Sequence, residues 1–185
     1  TEPERAEELP GQNRYLKDFI SNDWQKKLVL APEAPDIWDV EDSSQNRRWG
    51  NLVHRALAEI YTSKDISLVV EGFVVKGLLQ KEKLNMFQQV LEKVVFHEDM
   101  KEFFQPGIKA KNEAPLIDKD GNTLRPDKLI FKPDRLVLIE YKTGRPEDYH
   151  LKQINTYRKT LEEMNYRNIE SYLLYINDDI ELKKV

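Results

Sequence analysis

Between residues 136 and 144 the chain reads Leu-Val-Leu-Ile-Glu-Tyr-Lys-Thr-Gly, a stretch that few folds accommodate. Side chains alternate along a strand, so Leu136, Leu138, Glu140 and Lys142 share one face while Val137, Ile139 and Tyr141 take the other. A strand apolar on both faces belongs in the middle of a covered sheet. Its last residues then turn charged. Ionised side chains seldom occupy the end of a buried strand unless they are paired or bound to something. The segment therefore predicts a central strand whose carboxyl end emerges into a polar site.

Just upstream, Lys128-Leu129-Ile130-Phe131 predicts a second strand, entered through Arg125-Pro126-Asp127, with Lys132-Pro133-Asp134-Arg135 as the turn between the two. Antiparallel pairing brings Asp127 beside Glu140 and Lys142. Two carboxylates converging with one lysine is the minimum set for metal-assisted phosphodiester hydrolysis. The carboxylates hold a hard divalent cation through oxygen, and the ammonium orients an attacking water or neutralises developing charge.

These residues resemble the PD-(D/E)XK nuclease superfamily, with Pro126-Asp127 as the first half of the motif and Glu140-Tyr141-Lys142 as the second. Two more stretches narrow the resemblance: Gly50-Asn51-Leu52-Val53-His54-Arg55-Ala56-Leu57 upstream, and Tyr149-His150-Leu151-Lys152-Gln153-Ile154-Asn155-Thr156-Tyr157 downstream. In that order, from about Trp49 to the C-terminus, the chain is similar to the RecB/AddA nuclease family. The resemblance implies an α/β fold: a restriction-endonuclease-like core with a central mixed β-sheet flanked by helices, preceded by a helical N-terminal half. It implies Mg2+ or Mn2+ held by His54, Asp127, Glu140 and the backbone carbonyl of Tyr141. Lys142 would position the water, Glu113 of the Asn112-Glu113 pair would be a supporting acid, and Gln153 with Tyr157 would bind DNA or buttress Lys142. Arg145 would contact DNA. The family's domain is commonly the C-terminal nuclease of a helicase-nuclease that processes double-strand breaks, so the implied partners are DNA, as a single strand fed by a helicase, and an ATP-dependent motor. No Gly-x-x-x-x-Gly-Lys-Ser/Thr phosphate loop is present, which places that motor upstream on a longer chain or on a partner subunit. A first residue of Thr instead of Met fits such a fragment. Two alternatives share the core: a stand-alone endonuclease of restriction or resolvase type, and a catalytically inactive DNA-binding module.

Composition bounds the rest. The 185 residues suit one domain, divided into a lead-in over residues 1–48 and a nuclease domain over 49–185. With no cysteine there is no disulfide framework, no thiolate metal site and no cysteine-held iron-sulfur cluster of the kind some relatives carry, which fits a reducing, cytoplasmic setting. No apolar run reaches membrane-spanning length. The net charge of -4 argues against a uniformly basic surface, yet residues 122–168 hold 10 basic against 7 acidic side chains while residues 1–50 hold 7 against 11.

Periodicity predicts a helix over residues 15–28 and a clearer one carrying Trp49, Leu52, Val53, Ala56, Leu57, Ile60 and Tyr61, with Ser43 or Ser44 as its cap. Helices follow over residues 65–79, with Asp65 as a cap, and 81–96, then a strand over 108–117, a turn at 118–122 and a strand over 123–131. That turn is no EF-hand: its glycine is misplaced and Leu129 stands where the closing glutamate belongs. A helix over 147–164 with Leu151, Ile154, Tyr157, Leu161 and Met164 toward the sheet, and strands over 169–176 and 180–185, complete the expected order. His97-Glu98-Asp99 is read as a solvated turn.

Overall fold

The computed structural model describes residues 43–185; the helix expected over 15–28 and most of the lead-in lie outside them. Helix α1 (Ser43–Glu59) is followed by α2 (Asp65–Val75) and α3 (Leu84–Val95), then by strands β1 (Ala110–Asn112), β2 (Leu116–Ile117), β3 (Thr123–Leu124), β4 (Lys128–Phe131) and β5 (Leu136–Lys142). Helix α4 (Asp148–Glu163) leads to β6 (Ile169–Ile176) and β7 (Ile180–Lys184). The main sheet is five-stranded in the order β1-β4-β5-β6-β7 and mixed: β5 and β6 run parallel across α4, and the other neighbours are antiparallel.

β5 is the central strand, buried from Leu136 to Tyr141, as its two apolar faces predict. The alternation sorts its side chains into two cores. Val137, Ile139 and Tyr141 join Val53, Leu57, Phe73, Phe87 and Leu91 of α1 to α3 on one face. Leu136 and Leu138 join Ile154, Tyr157 and Leu161 of α4 on the other. The chain is thus an α/β protein with helices on both faces of the sheet.

Five expectations need correction. The strand expected over 108–117 breaks after Asn112, where Glu113 takes φ 46 and Pro115 follows; the piece beyond pairs with β3 as a separate two-stranded ribbon. The strand expected over 123–131 likewise breaks at Arg125-Pro126-Asp127, because Pro126 has no N–H to offer a ladder. Helix α2 stops at Val75, four residues short: Gly77 at φ 67 lets Gly77 N–H donate to Val74 O and Leu78 N–H to Phe73 O, a double closure of the helix end. Asp65 stands inside that helix, and its carboxylate accepts from the backbone N–H groups of Tyr61 and Thr62 in the turn before it. On α4 the register is offset: Leu151 and Met164 are exposed while His150 and Thr160 are buried against the sheet.

Candidate active site

Asp127 stands directly before β4, and the pairing of Lys128 with Ile139 sets it opposite Glu140. The two acids are joined through the backbone: Tyr141 N–H donates to Asp127 Oδ2 at 2.7 Å, and Asp127 N–H points at Glu140 Oε2 at 3.3 Å. Lys142, two residues on and so on the same face, donates to Glu140 Oε1 at 3.0 Å and to Gln153 Oε1 at 2.8 Å. Gln153 Nε2 in turn donates to Tyr157 Oη at 2.7 Å, the four-residue spacing stacking them on one side of α4. Tyr157 is 6 % exposed, so its hydroxyl serves as the anchor of this chain of hydrogen bonds. From the other face α1 supplies His54, whose Nδ1 lies 3.0 Å from Asp127 Oδ1 and whose ring packs edge-on against Tyr141. Seven of the expected residues, Tyr141 among them, therefore meet at the carboxyl end of the central strand. Glu113 lines the same pocket from beyond β1, exposed, and Arg145 is exposed in the loop after Gly144.

The electrostatics of the site oppose ionisation of Glu140. Burial, then the charge of Asp127, pushes Glu140 up to about 7 in spite of Lys142. Burial pulls His54 down, but the hydrogen bond and charge of Asp127, with Glu140 behind them, raise it overall. Both groups hold protons more tightly when folded, so stability should fall as pH rises through the ordinary carboxylate range toward 7 and on past the ordinary imidazole value. A divalent cation, competing for the same oxygens, would reverse that loss. We expect thermal melts in EDTA to give a lower midpoint at about pH 8 than at about pH 5.5, and manganese to raise the midpoint more at the higher pH. A midpoint indifferent to both contradicts the charge balance described.

Two supports were not assigned from sequence. Gly50 lies where α1 crosses the end of β5, and a Cβ built there would overlap Thr143 Oγ1, next to Lys142. The Gly50-x-x-x-His54 spacing thereby acquires a physical reason. Gly50→Ala gains about 1 kcal/mol of helix propensity but displaces Thr143, so the variant should melt near the wild type yet lose activity at Lys142. The second is Lys128, fully buried on the α1 side of the sheet. Its Nζ lies 3.4 Å from Ile60 O, 3.2 Å from Asn112 Oδ1 and 4.3 Å above the Phe104 ring. Asn112 Nδ2 donates to Ala58 O at 2.7 Å, so β1 and β4 together close the end of α1. Only the burial of its neighbour Ile130 on the same strand face hinted at this.

No family model matches the chain, and no curated protein does. A solved structure described as "Crystal structure of SSO0001" is 17% identical over 73% of this chain and 75% of that one, with a TM-score of 0.33. So loose a superposition carries no argument about the sheet or the site.

The donor chemistry suits a hard cation: two carboxylates and one imidazole, without sulfur. Among the described residues no three His, Cys, Asp or Glu side chains are grouped so as to hold a metal ion. The cost of ionising buried Glu140 beside Asp127 is the feature that a divalent ion would relieve. Among the described residues no helix is long and apolar enough to cross a membrane.

Proposed function

We propose that the chain is a metal-dependent deoxyribonuclease domain of the PD-(D/E)XK, RecB/AddA-like type, hydrolysing phosphodiester bonds. The observation that carries the reading is the hydrogen-bonded line from Asp127 through Glu140, Lys142 and Gln153 to Tyr157 at the carboxyl end of the central strand. Asp127 and Glu140, with His54 behind, are the residues that would hold Mg2+ or Mn2+, which supplies a polarised water and a positive charge at the reacting phosphate. Lys142, braced by Gln153, holds an ammonium where charge develops on the phosphate oxygens. Tyr157 contributes by fixing Gln153, whose Nε2 donates to its hydroxyl oxygen, and burial with the charge of Glu140 raises that hydroxyl to about 12. Glu113 at the pocket rim is a supporting acid, and Arg145 is placed to meet a phosphate backbone. The partners implied are DNA, as a strand delivered by an ATP-driven motor on the same longer chain or on another subunit, and the setting is cytoplasmic.

The test is degradation of linear and circular DNA, single- and double-stranded, with magnesium, manganese or EDTA. Metal-dependent loss of linear DNA supports the proposed deoxyribonuclease, acting as an exonuclease from DNA ends. Cutting of closed circles at defined sites favours the stand-alone endonuclease, and binding without cutting in any metal favours the inactive module.

A further inference from the structure

His150 is the third residue of α4, and with Lys142 and Thr143 it lines the pocket of about 510 Å³ that also contains His54. Its side chain is only 4 % exposed. Nδ1 is taken up inside the protein: Glu147 N–H donates to it at 3.3 Å, and Tyr175 Oη lies 3.2 Å away. A ring nitrogen that accepts from a backbone N–H has no proton of its own, so the hydrogen-bond network places the imidazole proton on Nε2. Nε2 makes no hydrogen bond to another described residue, and it is the edge left for the pocket.

The surroundings keep the ring neutral. A proton on Nδ1 would set two N–H donors against each other, and the groups facing the ring are Lys142 from β5, Tyr175 from β6, and Glu147 and Tyr149 from its own segment. Burial first, and Lys142 second, hold His150 below the ordinary imidazole range against the weaker pull of Glu147. The ring therefore presents a fixed donor and no exchangeable charge. It sits at the N-terminal end of a helix 16 residues long, where the Glu147 side chain already takes the His150 N–H as a cap. Arg55 of α1 lines the same pocket.

We propose that His150 is a substrate-binding residue, a neutral imidazole locked with its proton on Nε2 that donates to a non-bridging phosphate oxygen beside Lys142. The inference deepens the nuclease reading and rests on it for the identity of the ligand as a phosphodiester. A neutral donor suits that place. Lys142 already supplies positive charge there, and a second cation would compete with the metal for the acids.

The test begins with long-range 15N–1H spectra of the full chain, whose three histidines are assigned by substitution. His150 should appear as the Nε2–H tautomer, and thymidine 5′-monophosphate added in EDTA should move its Nε2 resonance without moving those of His97. His150→Phe keeps the ring volume and removes the donor, and should bind a fluorescent oligothymidylate about tenfold or more weakly. His150→Gln, with an amide donor, should recover part of the loss. Tyr175→Phe, which leaves the Glu147 bond in place, should keep both the tautomer and the binding. An Nδ1–H tautomer at His150, or unchanged oligonucleotide binding by His150→Phe, overturns the proposal. If the wild type degrades DNA while His150 ignores the nucleotide, the phosphate site falls and the nuclease reading stands. If His150 responds to nucleotide and no DNA is cut, the phosphate site stands and the nuclease reading falls.

Discussion

Lys142→Ala is expected to slow DNA cleavage by about a hundredfold to a thousandfold while leaving manganese binding intact or slightly stronger. Lys142 bonds Glu140 directly, and an ammonium cannot coordinate a cation, so its removal frees one carboxylate oxygen and lifts a like-charge repulsion from the metal. The cleavage step loses a positioned positive charge in a half-buried site, a loss of the kind worth about 2.7 to 4 kcal/mol. Calorimetric titration with manganese and timed DNA degradation on one preparation read the two properties together. Cleavage at the parental rate would remove Lys142 from the mechanism whatever becomes of the fold.

The second large effect is on stability and concerns Lys128. Among the described residues nothing acidic pairs with this fully buried ammonium, and burial lowers it from the ordinary lysine range to about 8. Lys128→Ala deletes its bonds to Ile60 O and Asn112 Oδ1, strips its contact with Phe104 and leaves a cavity, together costing about 2 to 5 kcal/mol. For a chain of this size that lowers the melting midpoint by roughly 4 to 20 °C. Lys128→Met fills the same volume without a charge, and should melt at or above the wild type, because an unpaired buried charge costs more than it returns. Thermal melts of the two variants decide the matter: equal losses in both would assign the ammonium itself a net stabilising role.

Much of the sheet was legible because one strand carried two signals at once. The alternation in Leu136 to Tyr141 located the sheet's centre, and the sudden Glu140 and Lys142 located its polar end. The short pieces around it were not legible, because their limits depend on backbone effects that alternation does not report: the missing N–H of Pro126, the positive φ of Glu113, and the helix closure at Gly77. The same limit applies to α4. Its apolar spacing suggested Leu151 as a core residue, whereas the bond of Glu147 N–H to His150 turns His150 inward and leaves Leu151 exposed. For Gln153 and Tyr157 the four-residue spacing gave only that the two side chains lie one above the other on a helix, while their place at the site came from the resemblance of the Gln-x-x-x-Tyr motif. Lys128 and His150 were not, because a lysine in an apolar strand and a histidine at a helix start have many ordinary uses, and only tertiary partners separate those from a buried cap or a fixed donor.

Whether Asp127 and Glu140 hold a metal for phosphodiester hydrolysis is read from the rate of degradation of a linear single-stranded DNA by the wild type and by Asp127→Asn, in magnesium and in EDTA. Asp127→Asn keeps the shape of the side chain but exchanges a carboxylate for a neutral amide that holds a divalent ion far less well. Degradation by the wild type is expected in magnesium and not in EDTA, with a rate for Asp127→Asn near that of the EDTA control. Comparable degradation by Asp127→Asn, or by the wild type in EDTA, would contradict that role for the two acids.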